Sequence, residues 1–94
     1  MACYVIASVE VTDPEDYVNY ASHTEASVAP FGGEFLVKGG AQSVVEGSAP
    51  DRHAVIRFPD RASAEAWYGS DDYQRLLHIA LSASRRTLVF VDGV

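Results

Sequence analysis

Two short segments of this sequence alternate apolar and polar side chains and carry the groups best suited to chemistry. In CYVIASVEV the polar positions include Ser8 and Glu10, and in HAVIRF they include His53 and Arg57. An imidazole, whose ordinary pKa is about 6.5, can act as a general base near neutral pH. A guanidinium can hold a carboxylate or enolate oxygen through paired hydrogen bonds. We therefore predict His53 and Arg57 as catalytic groups, Tyr4 as a donor at the rim, and Ser8 and Glu10 as substrate-binding groups.

A structural interpretation of the same residues is also open. His53 can be a partly exposed residue at a strand edge, and Arg57 can pair with Glu10 across neighbouring strands. Lys38, which precedes Gly39, either extends from a hairpin into solvent or binds an anionic ligand. The sequence alone leaves both interpretations in place.

Aromatic side chains form a second candidate set for ligand binding. Trp67, Tyr68 and Tyr73 can line a pocket for an aromatic substrate. Their helical spacing favours packing between helices and a sheet over such a pocket, and the same applies to Tyr17 and Tyr20. Buried tyrosine hydroxyls in such a cluster need hydrogen-bond partners in either case.

Two glycine pairs, Gly32-Gly33 and Gly39-Gly40, raise the question of a phosphate-binding loop. Such a loop places glycines between a strand and the helix whose N-terminus holds the anion. Here the first pair follows a predicted helix, and the second pair joins two predicted strands. We therefore predict a helix end and a hairpin turn, and no dinucleotide or phosphate cofactor.

Composition excludes several other classes of function. The three histidines have no ligand spacing, so no metal site is predicted. A net charge of −6 argues against nucleic-acid partners and anionic membrane surfaces. Cys3 is the single cysteine, which fits a reducing cytoplasm. Arg85 and Arg86 are placed near the end of the last helix, where positive charge is favoured, and are not assigned to a site.

The elements that position these residues follow from periodicity and capping. Asp13, Asp60 and Ser70 are the predicted helix starts, and the first helix is expected to run to about Ala29. The predicted strands are CYVIASVEV, EFLVK, its hairpin return AQSVVEG, HAVIRF and TLVFVDG. This order predicts one α+β domain over residues 1–94, a ferredoxin-like (split βαβ) fold. Its largely antiparallel sheet has four to five strands, with the helices on one face.

Helices on one face leave the other face of the sheet open. That face carries Ile6, Val55 and parts of the last strand, and monomers rarely expose a large apolar surface. We therefore predict a two-fold homodimer in which two sheets face each other.

Five segments occur in an order typical of one family: YVIASVEVTDPEDYVNY, FGGEFLVKGG, VIRFPD, AEAWYGSDDYQ and LVFVDG. With them the whole chain resembles the family of domains of unknown function number 1330. The resemblance implies a dimeric α/β barrel, a group that contains cofactor-free monooxygenases, muconolactone-isomerase-like enzymes and proteins without known activity. Arg57 and Ala80 depart from the pattern implied by the resemblance, in which a glutamate and an arginine are usual.

Two functions remain open at this point. One is binding or transformation of a small organic metabolite, oxygenase-like or isomerase-like, in a pocket on the open sheet face. The other is a non-catalytic dimeric accessory or interaction module. The sequence does not decide whether the protein is an enzyme.

Overall fold

A computed structural model describes all 94 residues of the chain. In chain order the elements are β1 (Cys3–Val11), α1 (Pro14–Val28), a 3₁₀ turn (Ala29–Phe31), β2 (Glu34–Lys38), β3 (Arg52–Phe58), α2 (Arg61–Tyr68), α3 (Asp71–Ala83) and β4 (Ser84–Asp92). They form a single four-stranded sheet of order β2-β3-β1-β4 in which every neighbouring pair is antiparallel. The predicted ferredoxin-like fold is confirmed. None of the helices has the length and apolarity that crossing a bilayer requires.

Each of the three α-helices starts at the residue that the sequence indicates. The side chains of Asp13, Asp60 and Ser70 accept hydrogen bonds from the backbone N–H three residues later, at 3.2, 2.7 and 3.3 Å. These bonds satisfy donors that the first helical turn otherwise leaves free. At the other end of α1 the 3₁₀ turn stops at Gly32, whose φ of 76° favours glycine.

The core lies between the helices and one face of the sheet. It is a cluster of 14 buried residues: Cys3, Val5, Ala7, Val9, Tyr17, Tyr20, Val28, Ile56, Phe58, Ala64, Trp67, Tyr73, Ala80 and Ala83. The alternate residues of β1 face this cluster, as its pattern of buried and part-exposed positions shows. Ala80, a position where the family resemblance implies arginine, is fully buried.

The predicted hairpin return AQSVVEG is wrong, because these residues form no strand. β2 instead pairs directly with β3, and a loop from residue 39 to residue 51 connects them. Gly39 and Gly40, with φ of 69° and 82°, turn the chain out of the sheet. The only large apolar residues of the segment, Val44 and Val45, are adjacent in sequence and exposed, so they supply no period-two face for a strand to bury.

An irregularity in β2 decides where Lys38 lies. The register with β3 shifts between Phe35 and Val37, so Phe35 pairs with Ile56 and Lys38 with Ala54. Strict alternation would put Phe35 and Lys38 on opposite faces of the sheet. The bulge inserts one extra residue into β2, so both side chains lie on the same face. The amino group of Lys38 is therefore on the helix side of the sheet.

The face of the sheet that no helix covers has an apolar centre. Val37, Val55, Ile6 and Val89 align across all four strands in one row. Val37 and Val89 are each more than 40% exposed. Polar or mixed rows lie on both sides of this apolar row. We call the whole face of the sheet that no helix covers the open face.

Candidate functional site

A cavity of about 30 Å³ lies between α1 and the helix-side face of the sheet. Its lining comprises Val5, Ala7, Val9, Tyr17, Tyr20, Ala21, Thr24, Phe35, Lys38, Arg52, Ala54, Ile56, Trp67, Arg86 and Leu88. Eleven of these residues are hydrophobic, and the polar groups include two guanidiniums, a lysine and two tyrosines. This composition, apolar walls with few polar groups, is that of small-molecule sites.

The two arginines of the cavity occupy equivalent positions on neighbouring strands. Arg52 on β3 and Arg86 on β4 both pair with Val9 of β1, which separates them in one row across the sheet. The guanidinium carbon of Arg52 lies 5.3 Å from the ring centre of Tyr17, and that of Arg86 lies 5.1 Å from the ring centre of Tyr20. These cation–π contacts hold both guanidiniums against α1.

A chain of hydrogen bonds leads from Arg86 to the wall of the cavity. Its Nη2 donates to the Tyr73 hydroxyl at 3.3 Å, and the hydroxyls of Tyr73 and Tyr20 are 2.9 Å apart. A guanidinium only donates, and Tyr73 is fully buried with Tyr20 as its one remaining partner. Tyr73 therefore donates to Tyr20, which leaves the Tyr20 hydroxyl hydrogen free to donate to a ligand.

In this cluster the environment favours the neutral form of Tyr73 and Tyr17 and the charged form of Arg86. Burial raises the pKa of Tyr73 far above its ordinary value, and burial also raises the pKa of Tyr17. Burial alone would lower the pKa of Arg86, but the oxygens of Tyr20 and Tyr73 more than offset this, so its pKa is raised. At neutral pH the cluster is a set of hydrogen-bond donors with a net positive charge.

The raised pKa of Tyr73 predicts a loss of stability in alkaline solution. The folded state holds the phenolic proton more tightly than the unfolded chain. This contribution to stability is therefore complete below pH 10 and is lost as the pH rises above that value. Above pH 10, each group with such a raised pKa lowers the free energy of unfolding by about 1.4 kcal/mol per pH unit. We expect Tyr73→Phe to show a shallower fall in the free energy of unfolding between pH 10 and 12, measured by urea titration. An unchanged slope would contradict the assignment.

An ion pair closes the cavity on the side of β2. Lys38 Nζ lies 3.0 Å from Glu25 Oε1 of α1 and 5.1 Å from the ring centre of Phe35. Next to it, the guanidinium of Arg52 packs under Gly39, where a Cβ would lie 3.2 Å from Arg52 Cζ. We call this side of the cavity, formed by Lys38 and Arg52, its mouth; the opposite walls belong to the core.

The predicted catalytic residues lie on the open face, away from this cavity. Tyr4 and Arg57 pair across β1 and β3, and so do Ser8 and His53. The Nδ1 of His53 is 2.8 Å from an oxygen of the Gln42 side chain. The catalytic role of His53, Arg57 and Tyr4 and the substrate-binding role of Ser8 stay predictions.

The ion pairs of the open face differ from the expected pairing of Arg57 with Glu10. Arg57 instead lies 3.7 Å from Glu34, and Glu10 accepts from Arg85 at 3.1 Å. The difference follows from register, because Glu34 is opposite Arg57 and Arg85 is opposite Glu10. The substrate-binding role of Glu10 stays a prediction.

The predicted aromatic set is divided by the structure. Trp67 lines the cavity, and Tyr73 packs behind it with ring centres 4.1 Å apart. Tyr68 lies instead in an apolar groove between α3 and β4. Lys38 reaches the cavity through the bulge in β2. Their ligand-binding roles stay predictions.

Sequence reasoning did not assign Arg52 or Arg86 to a site. Arg52 was placed in a loop and Arg86 at a helix end, but both lie on strands. Extending the alternation backwards by two residues, from Ala54 to Arg52 and from Leu88 to Arg86, places both on the helix side. No group of three or more His, Cys, Asp or Glu side chains comes together as a metal site.

The sequence matches the family model "Domain of unknown function (DUF1330)" over residues 2–94. The chain belongs to this family. None of the curated proteins matches the sequence.

Solved structures with low sequence identity share the fold. This DUF1330 protein is similar to a protein of unknown function from Rhodopseudomonas palustris, with a TM-score of 0.81, 13% identity and coverage of 99% of this chain and 82% of that one. It is similar to a dimeric ferredoxin-like protein of unknown function from Jannaschia sp., with a TM-score of 0.74, 12% identity and coverage of 99% and 100%. It is also similar to SnoaB, a cofactor-independent oxygenase from Streptomyces nogalater, with a TM-score of 0.64, 10% identity and coverage of 99% and 93%.

Proposed function

We propose that this protein is a homodimer that binds or transforms a small organic metabolite in the cavity beneath α1, without a cofactor. The observation that carries the proposal is the cavity itself, whose apolar walls surround a few hydrogen-bond donors. In this proposal the ligand lies on the helix side of the sheet, whereas the sequence suggested a pocket on the open face. The shared fold with a cofactor-independent oxygenase supports the proposal by analogy.

Of the two reaction types, the lining of the cavity favours the oxygenase. An isomerase of this kind needs a general base beside an activated C–H bond, and the lining contains no carboxylate and no imidazole. A cofactor-free oxygenase needs an electron-rich substrate that itself reduces dioxygen. Positive groups around the cavity stabilise the enolate or phenolate form of such a substrate.

Ligand entry requires the cavity to widen, because about 30 Å³ holds only a water molecule or two. Widening costs the least free energy at the mouth of the cavity. The Lys38–Glu25 pair is partly exposed, with Glu25 68% accessible, and such pairs contribute about 0–1 kcal/mol. Outward rotation of Lys38 would widen the cavity without disturbing the core or the contact of Arg52 with Tyr17.

The open face supports the homodimer. Its central row of Val37, Val55, Ile6 and Val89 is apolar, and the flanking rows include ion pairs and polar side chains. An apolar centre with a polar rim is the usual anatomy of a protein interface. A structural neighbour described as dimeric has the same fold.

The fluorescence of Trp67 provides the test of ligand binding, because Trp67 is the only tryptophan and lines the cavity. We expect members of a library of small phenols and keto acids to cause a saturable change in its emission. Nitrogen-purged and air-equilibrated samples would then separate binding from oxygen-dependent turnover. If no compound changes the emission of the folded wild-type protein, the proposal is wrong.

The small volume of the cavity favours one competing function, a non-catalytic dimeric module. Such a module requires no ligand, and the cavity would then stay closed. Complete absence of a saturable fluorescence response, with the dimer intact by light scattering, would favour this alternative.

A further inference from the structure

Two of the seven lysine and arginine side chains of this protein have no carboxylate partner. The five that form ion pairs are Lys38, Arg57, Arg61, Arg75 and Arg85. The two without a partner are Arg52 and Arg86, and both line the cavity. The chain has 13 acidic residues, so lack of a partner does not reflect a shortage of carboxylates.

Both arginines also bury a nitrogen that has no hydrogen-bond partner. These atoms are Nε of Arg52 and Nη1 of Arg86, and they are the only buried side-chain nitrogens or oxygens in the structure without one. A buried donor of a charged group that is left unpaired costs free energy. An external acceptor that completes the pairing removes this cost, and perturbed charged groups cluster at functional sites.

The surroundings hold the two guanidiniums in place before any ligand arrives. Each is stacked on a tyrosine of α1, at 5.3 Å for Arg52 and 5.1 Å for Arg86. Arg86 is fixed further by its hydrogen bond to Tyr73. The free hydroxyl hydrogen of Tyr20 adds a neutral donor beside Arg86. The polar end of the cavity therefore offers fixed donors, and the lining contains no carboxylate, which suits an anion.

We propose, on the basis of the proposed function, that Arg52, Arg86 and Tyr20 form an anion-binding site and that the ligand is an apolar carboxylate. The guanidiniums take the carboxylate oxygens, and the hydrophobic part of the ligand lies against the apolar walls, which include Ile56 and Leu88. Inorganic phosphate fits this site less well. It has no apolar part to bury, and its greater charge is costlier to remove from water.

The first experiment compares ligand pairs that differ only in charge. Acetate is compared with acetamide, and benzoate with benzamide, by Trp67 fluorescence and calorimetry on the wild-type protein at fixed ionic strength. We expect the carboxylates to bind at least tenfold more tightly than their amides, and benzoate more tightly than inorganic phosphate. Equal affinity within each pair would overturn the anion site.

The second experiment uses one substitution at three arginines. Arg52→Met and Arg86→Met keep much of the side-chain length and remove the charge. Each is expected to weaken benzoate binding roughly ten- to hundredfold, the range for hydrogen bonds to a charged group. Arg75→Met on α3 is the matched control, because Arg75 pairs with Asp72 and does not line the cavity, and this variant should bind within twofold of wild type. Wild-type affinity in the Arg52 and Arg86 variants would refute the assignment.

The outcomes separate this inference from the function on which it rests. If neutral phenols bind in the cavity and carboxylates do not, the metabolite site stands and the anion site falls. If nothing binds, both fall. Circular dichroism establishes that each variant is folded, and the comparison of acid with amide needs no variant at all.

Discussion

Replacing Trp67 with alanine will reduce the free energy of unfolding by about 3–5 kcal/mol, the usual cost of truncating a buried tryptophan. Trp67 is only 1% exposed, and its ring centre lies 5.4 Å from that of Phe58 and 4.1 Å from that of Tyr73. Its indole N–H also donates to Ser27 Oγ at 3.1 Å. The free energy of unfolding of a small domain totals about 5–15 kcal/mol, so this loss approaches the whole stability of the protein.

The measurement is thermal and urea unfolding followed by circular dichroism, because the variant has no tryptophan to report fluorescence. For a domain of this size the midpoint should fall by roughly 15–30 °C. Trp67→Phe is the matched control, since it keeps an aromatic ring and removes the N–H donor and one ring of the indole. The phenylalanine variant should lose less of the free energy of unfolding than the alanine variant. A loss below about 1 kcal/mol for alanine would contradict the packing described here.

Replacing Ile6 with aspartate is expected to convert the proposed dimer into a folded monomer. Ile6 lies at the centre of the open face, between Val55 and Val89. In a two-fold dimer built on this face, the carboxylate would be buried against apolar groups and would approach its own copy. Burial of an unpaired charge and like-charge repulsion each cost several kcal/mol, so the dissociation constant should rise more than a hundredfold.

Light scattering at micromolar concentration measures this change, and circular dichroism shows whether the monomer is folded. Val89→Asp is a second variant in the same row, at a position already 43% exposed in one chain. Val18→Asp is the matched control, because Val18 is 60% exposed on α1 and far from the open face. A dimer that persists in both open-face variants, or a wild-type protein that is a monomer, would remove the face-to-face assembly.

Local sequence patterns were sufficient for the helix starts and for all four strands, although β4 begins at Ser84, three residues before its predicted start. Asp13, Asp60 and Ser70 begin helices because a capping side chain needs only the backbone that follows it. Alternation in β1 assigns its faces because the period of a strand is a property of the backbone. The same rules failed for AQSVVEG, because two adjacent valines between polar residues have no face that a sheet could bury.

Local sequence patterns did not predict the candidate site, although they contain part of the information that places its residues. Extended alternation would have placed Arg52 and Arg86 on the helix side of their strands. It would not have shown that a bulge brings Lys38 to the same side, since a register shift depends on the partner strand. Nor does any local pattern show that both arginines flank Val9.

The sequence by itself determined the four strands and three helices and their order, but with one strand too many, together with the helix starts, the two faces of β1 and the family. Those features depend on neighbours in the chain, through capping, backbone period and turn geometry. Only the tertiary structure decided that Arg52 and Arg86 lack carboxylate partners and meet Tyr17 and Tyr20 in a cavity under α1. Charge pairing and burial are properties of groups far apart in the sequence, and they take definite values only when the helix is packed on the sheet.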